Sequence, residues 1–166
     1  ETNQGPTAVH LSSTLAAVAE DADTSSRTRV AHIAITDDGA GTNIVSLAGA
    51  DADQFEVVGD SLYLKANRTL DYETQASYSV TVSARDSSVA GSNPVTAAMT
   101  LGITDANDAP SAVAFTNAVN VISDRTDTAS AVKIADILVM DDALGNNALA
   151  LSGADAAHFE VVGTAL

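Results

Sequence analysis

β-branched and aromatic residues alternate with small or polar ones along several short runs, a period of two that predicts strands with one buried face. The runs are Val30–Ile35, Ile44–Leu47, Phe55–Val58, Leu62–Lys65, Tyr78–Ala84 and Ala97–Ile103, with a further strand near Thr7–Val18. Turn chemistry separates them: Asp37–Gly41, Gly59–Ser61 and Ala90–Pro94 supply the Gly, Asn, Asp and Pro at which a chain reverses. About seven short strands in roughly 100 residues predict an antiparallel β-sandwich. No segment carries the period of a long helix.

The pattern repeats. Residues 1–62 align with residues 105–166 at a constant shift of 104 without a gap, with about 24 identities in 62 positions. The densest blocks are Gly49–Ala52 with Gly153–Ala156 and Phe55–Gly59 with Phe159–Gly163. A unit of this length exceeds the repeats of roughly 20 to 50 residues that build solenoids and propellers, so tandem sandwich domains are expected. Residues 1–6 read as the end of a preceding linker, 7–104 as a complete domain, 105–110 as a linker and 111–166 as the first part of a second domain. Proline at Pro6 and Pro110 favours an extended chain just before it. With the last strands of the second unit missing, residues 111–166 are expected to be poorly ordered, swapped into another copy, or held by self-association.

Charge narrows the partners. The 22 acidic and 7 basic side chains leave a net charge of −15. That surface disfavours nucleic acid and anionic lipid, both of which need positive charge, and favours a cation. There is no cysteine, so thiolate sites and disulfides are absent. No apolar run is long enough to cross a bilayer as a helix, so this segment is expected not to insert into a membrane. The sequence starts at Glu1 with no signal-peptide pattern, which predicts that the natural start lies upstream.

Acidic residues fall where a sandwich of these strands would gather them. Glu20 precedes the strand beginning near Thr28, Asp71 and Glu73 precede the strand from Tyr78, and Asp105–Asp108 close the unit. In extended chain residues two apart face the same side, so Asp71 and Glu73 aim together while Tyr72 turns away. Such carboxylates repel by a few kcal/mol at short range unless a cation sits among them. Calcium suits an all-oxygen donor set, taking six to eight oxygens in irregular geometry. Zinc would ask for thiolate or imidazole, and His10, His32 and His158 occupy unrelated places.

Four motifs in order carry a resemblance. Leu70-Asp71-Tyr72-Glu73 is similar to Leu-Asp-Arg-Glu, and Asp105-Ala106-Asn107-Asp108-Ala109-Pro110 to Asp-x-Asn-Asp-Asn-x-Pro. Ala19-Glu20-Asp21 stands in the place of Pro-Glu-Asn, and Ala84-Arg85-Asp86 in that of Ala-x-Asp. The whole chain thereby resembles cadherin repeats, in particular the divergent cadherin-like domains of large bacterial surface proteins. The resemblance implies an all-β, seven-stranded Greek-key, immunoglobulin-like sandwich in tandem. It also implies Ca2+ bound between consecutive domains of an extracellular adhesin, with neighbouring repeats of the same chain as partners.

Carried over by position, the resemblance makes Glu20, Asp71, Glu73, Asp105 and Asp108 carboxylate ligands, with Asn107 and the carbonyls of Ala106 and Ala109. Asp141, Asp142 and Asn147 match the acidic pair and asparagine that the following domain contributes. Glu1, Asn3, Asp37, Asp38, Asn43 and Asp86 form the matching upstream half-site. The pair Asp141–Asp142 is contiguous where the family separates its acids by one residue, so one of the two is expected to point away. Asp124 replaces Glu20 in the second unit and reaches less far. The counterpart of Asp86 would follow Leu166, so the ion site nearest the second unit is expected to be weak.

Other chemistries are disfavoured. Asp71 and Glu73 have the makings of a glycosidase acid–base pair. The absence of tryptophan, with three tyrosines and three phenylalanines that mostly fall in strand patterns, leaves no platform for sugar rings. No histidine belongs to a nucleophile motif, so the chain reads as non-enzymatic. Asp21-Ala22-Asp23 opens like an EF-hand, but Ser26 and His32 stand where glycine and glutamate are needed. Asp51-Ala52-Asp53 reads as a plain turn, because its copy is Asp155-Ala156-Ala157. Two alternatives to the calcium-stiffened module follow from the resemblance: a polysaccharide-binding module, and a homophilic adhesion domain binding a cell-surface protein. Scarce aromatics count against the first, and the lack of an anchoring tryptophan against the second.

Overall fold

A computed structural model describes residues 2–166. It divides into two compact units, the first ending at Ala106 and the second spanning Asn107–Leu166. The first unit has eight strands: β1 (Ala8–Ser12), β2 (Ala17–Ala19), β3 (Thr28–Thr36), β4 (Asn43–Ala48), β5 (Phe55–Val58), β6 (Ser61–Leu64), β7 (Ser77–Asp86) and β8 (Val95–Thr104). They form two four-stranded sheets, ordered β1-β3-β6-β5 and β2-β8-β7-β4. All pairings are antiparallel except that of β2 with β8. Among the described residues the only helical segments are 3-10 turns at Ala52–Gln54 and Ala156–His158.

The strand expected near Thr7–Val18 is two strands, which corrects the count from seven to eight. β1 pairs with β3 in one sheet and β2 with β8 in the other. Between them Ser13 takes a left-handed φ of 49°, and the amide of Leu15 donates to the carbonyl of Val30 at 2.8 Å. The chain thus crosses from one sheet to the other, and its backbone groups pair on both sides.

β7 shows how the core is addressed. Tyr78, Val80, Val82 and Ala84 are buried while Ser77, Ser79 and Arg85 are exposed, the alternation of a strand with one inward face. Facing them are Val9, Ile33, Phe55, Leu62 and Leu64 from the first sheet, all less than a tenth exposed. Val30 is the extra residue of a bulge in the β3–β6 pairing, between Arg29 and Ala31. The bulge lets two consecutive residues, Val30 and Ala31, both lie in the core.

The loop after β4 is tied to β7 by one carboxylate. Asp51 Oδ2 accepts the backbone N–H of Ser79 at 2.7 Å and Oδ1 accepts the Gln75 side-chain amide at 2.8 Å. The Ser79 amide first, then Gln75, hold this carboxyl below its ordinary 3.8. A lowered folded-state pKa contributes stability above the unfolded value, and that contribution disappears as pH falls through the folded value. Asp51→Ala is therefore expected to cost about 1 kcal/mol at pH 7, solvent screening included. Urea titrations of both proteins from pH 7 to pH 2 check this, since the difference should shrink only in the most acidic part of that range.

In the second unit β9 (Ala112–Thr116) pairs antiparallel with β10 (Asp136–Met140). The register, Ala112 opposite Met140, is that of Ala8 opposite Thr36 moved by 104. The 3-10 turn at Ala156–His158 repeats Ala52–Gln54, and the bridge Val162–Ala165 repeats Val58–Ser61. No strand forms at 147–152, where the counterpart of β4 would lie. Val113 and Phe159 are 59% and 46% exposed, against 6% and 2% for Val9 and Phe55.

Candidate functional site

Topology sorts the candidate residues of the first unit into two groups. β2 and β8 run parallel, so Glu20, after β2, and Asp105, after β8, leave their sheet at the same end. β7 runs antiparallel to β8, which puts Asp71 and Glu73, just before β7, at that end as well. Asp86 closes β7 at the other end, opposite Asn43 at the start of β4. Asp37 and Asp38 follow β3, whose end pairs with the start of β1, close in sequence to Asn3. Glu1 lies outside the described residues.

At the first end Glu20 organises the backbone. Its Oε2 accepts the N–H of Tyr72 and its Oε1 that of Ala106, both at 2.6 Å. Asp71 Oδ1 accepts the N–H of Thr74 at 2.7 Å, fixing the turn that carries Glu73. Glu20 and Glu73 each present a carboxylate oxygen, the two within 4.8 Å of one another.

The other end contains a buried acid. Asp86 falls on the inward face of β7 and is 0% exposed. A carboxylate taken from water needs hydrogen bonds or a counter-charge. Oδ1 accepts the N–H of Ser88 at 2.6 Å and of Thr42 at 3.3 Å. The Ser88 amide is the main cause that lowers this carboxyl below its ordinary value, with burial opposing and Asn3 and Thr42 assisting. Asn3 is near enough to contribute, yet Oδ2 of Asp86 has no well-aligned donor.

Three neighbours share that condition. Oδ1 of Asn3, of Asp37 and of Asn43 are each buried without a hydrogen-bond partner. The Nδ2 of Asn43 donates to Asp37 Oδ2 at 2.7 Å, and the Oδ1 of each of these two side chains stays bare. Buried polar atoms are nearly always paired, so four bare oxygens on Asn3, Asp37, Asn43 and Asp86 are a donor set for a hard cation. Gly41, at φ +74°, completes the cradle: a Cβ there would collide with Oδ2 of Asp86 and Nδ2 of Asn3.

The second unit builds the same corner. Asn147 Nδ2 donates to Asp141 Oδ2 at 2.7 Å, and Asp141 Oδ1 is buried and unpartnered. A Cβ on Gly145, at φ +66°, would strike Oδ1 of Asn107. Asp142 accepts from Asp108 and Leu144. Ala109 lies exposed ahead of β9. The role of Gly41 and Gly145 escapes the sequence reading, which treats Gly41 as turn chemistry; its recurrence at the 104-residue shift was the available signal.

The Cadherin domain model matches residues 14–118, more than half of the chain. A search of curated proteins finds no match. Among solved structures, the protocadherin gammaB7 EC3-6 cis-dimer is similar at 23% identity and a TM-score of 0.59, covering 82% of this chain and 32% of its own. Protocadherin Gamma B2 extracellular cadherin domains 1-5 match at 20% identity and a TM-score of 0.60, covering 92% and 31%. Human Protocadherin-24 EC1-2, form II, matches at 20% identity and a TM-score of 0.52, covering 83% and 63%. This chain thus spans about a third of the gamma-protocadherin chains, and these likenesses carry the fold alone. Cadherin domains are non-enzymatic extracellular adhesion repeats that occur in tandem and typically bind calcium at interdomain junctions. With its family match and its sandwich of two four-stranded sheets, this chain belongs to the cadherin domain family.

Proposed function

We propose that this chain is a calcium-binding spacer of an extracellular adhesin, in which calcium stiffens the junction between consecutive repeats. The observation that carries this reading is the set of buried, unpartnered oxygens on Asn3, Asp37, Asn43 and Asp86. Two carboxylates and two amide oxygens suit calcium, which tolerates mixed oxygen donors, better than magnesium, which keeps its waters. The net charge of −15 draws cations towards the surface.

Glu20, Asp71, Glu73, Asp105, Asn107 and Asp108, with the carbonyls of Ala106 and Ala109, would supply the downstream ligands, joined by Asp141 and Asn147. Asn3, Asp37, Asn43 and Asp86 would supply the upstream ones. Bound calcium neutralises these carboxylates and so removes the repulsion that otherwise spreads them. Extracellular modules of this kind work at a dissociation constant of about 10⁻⁴ to 10⁻³ M.

Calorimetric titration with calcium tests the reading. Asp86→Ala is expected to weaken upstream binding by at least about tenfold, since the lost ligand is a buried, charge-bearing one. The double variant Asp71→Ala, Glu73→Ala should remove downstream binding and leave the upstream isotherm in place. A wild-type chain that shows no saturable calcium binding up to about 10 mM ends the proposal.

A further inference from the structure

The two adjacent acids of each unit do different work. Asp38 Oδ2 accepts the backbone N–H of Gln4 at 2.8 Å and its Oδ1 that of Ala40 at 2.9 Å. In the second unit Asp142 Oδ2 accepts the N–H of Asp108 at 2.8 Å and Oδ1 that of Leu144 at 2.8 Å. The neighbouring acid behaves otherwise in both places. Asp37 and Asp141 each give Oδ2 to an asparagine amide and keep Oδ1 buried and bare. Adjacent side chains on extended backbone point to opposite faces, so a contiguous pair cannot aim both carboxylates at one ion as easily as residues two apart.

We infer that Asp38 and Asp142 are not cation ligands but positioning residues, latches that fasten the segment before β1 or β9 to the acidic loop after β3 or β10. The latched segment includes Asn3 in one unit and Asn107 in the other. Each of these stands directly before the residue whose amide is held. The latch also supports an awkward turn. Gly39 and Ala143, which follow the two latches, both have left-handed φ, 80° and 70°. Alanine adopts that region at a cost, and the carboxylate's bond to the amide two residues on compensates it.

The functional consequence rests on the calcium reading: a segment already fastened needs less ordering when a cation binds, so the latch raises affinity without adding a donor. The expected ligand set therefore excludes Asp38 and Asp142, although both stand at positions that the family resemblance counts among the ligands.

Amide hydrogen exchange by NMR on the calcium-free 166-residue chain, paired with calcium titration, tests the assignment. In Asp142→Ala, exchange of the Asp108 and Leu144 amides should speed up on the order of tenfold or more, as expected for loss of hydrogen bonds to a charged acceptor. In Asp141→Ala both should keep wild-type rates. Asp38→Ala should act likewise on Gln4 and Ala40, so the assignment is decided even if one variant fails to fold. With calcium, Asp142→Ala should bind as many ions as wild type at weaker affinity, whereas Asp141→Ala should lose binding at its site. Unchanged exchange at Asp108, or fewer ions bound by Asp142→Ala, overturns the inference. If wild type binds no calcium, the proposed function fails, and the latch still stands or falls on the exchange rates.

Discussion

Stripping calcium with EDTA is expected to lower the melting temperature of the first unit by on the order of 10 °C relative to protein in calcium at about 100 times its dissociation constant. A ligand that binds only the folded state at that excess stabilises it by about 2.7 kcal/mol. For a domain of 60–100 residues each kcal/mol shifts the midpoint by roughly 4–8 °C. The physical origin is local. Without a cation, Glu20 and Glu73 face each other within 4.8 Å, and the buried Oδ2 of Asp86 has no well-aligned donor. Calorimetric scans with and without EDTA check the expectation, and magnesium at equal concentration should restore only part of the loss. Superimposable scans would show that these oxygens stabilise nothing by holding an ion.

Truncating equivalent phenylalanines in the two units should have very different effects. Phe55→Ala is expected to destabilise the first unit by about 3–5 kcal/mol, the usual cost of emptying an aromatic site in a packed core. That is a large fraction of the roughly 5–15 kcal/mol by which domains are stable. Phe159→Ala, at the matching position, should cost less than about 1 kcal/mol, because surface truncations seldom exceed it. The difference lies in what covers the ring. Phe55 is 2% exposed beneath a complete sandwich, while Phe159 is 46% exposed. With no tryptophan to report unfolding, residue-resolved hydrogen exchange in urea separates the two units. Equal losses would mean that the second unit packs its core as tightly as the first.

The strands of the first unit were legible because a period of two is written locally. The alternation in Tyr78–Ala84 predicts β7, and the structure extends it by one residue before and two after. The division of the first strand was not legible, since the turn at Ser13 answers to two sheets that the local pattern does not describe. The acidic groups were found by motif and spacing, and parallel pairing of β2 with β8 explains why Glu20 and Asp105 leave the same end.

By itself, the order of residues determined the β-class, the repeat at a shift of 104, and which residue types stand at each corner, because all three are properties of neighbours along the chain. It also carries enough local information for β9, β10 and the turn at Ala156–His158 to form in the second unit. Only tertiary structure decided what is buried: residues 147–152 keep Asn147 and Leu151 in the places of Asn43 and Leu47 yet form no strand, because β4 is held by β7 alone. Tertiary structure also separated Asp37 from Asp38 and Asp141 from Asp142. Two identical side chains in sequence differ in role once one meets backbone amides and the other is enclosed with its oxygen bare.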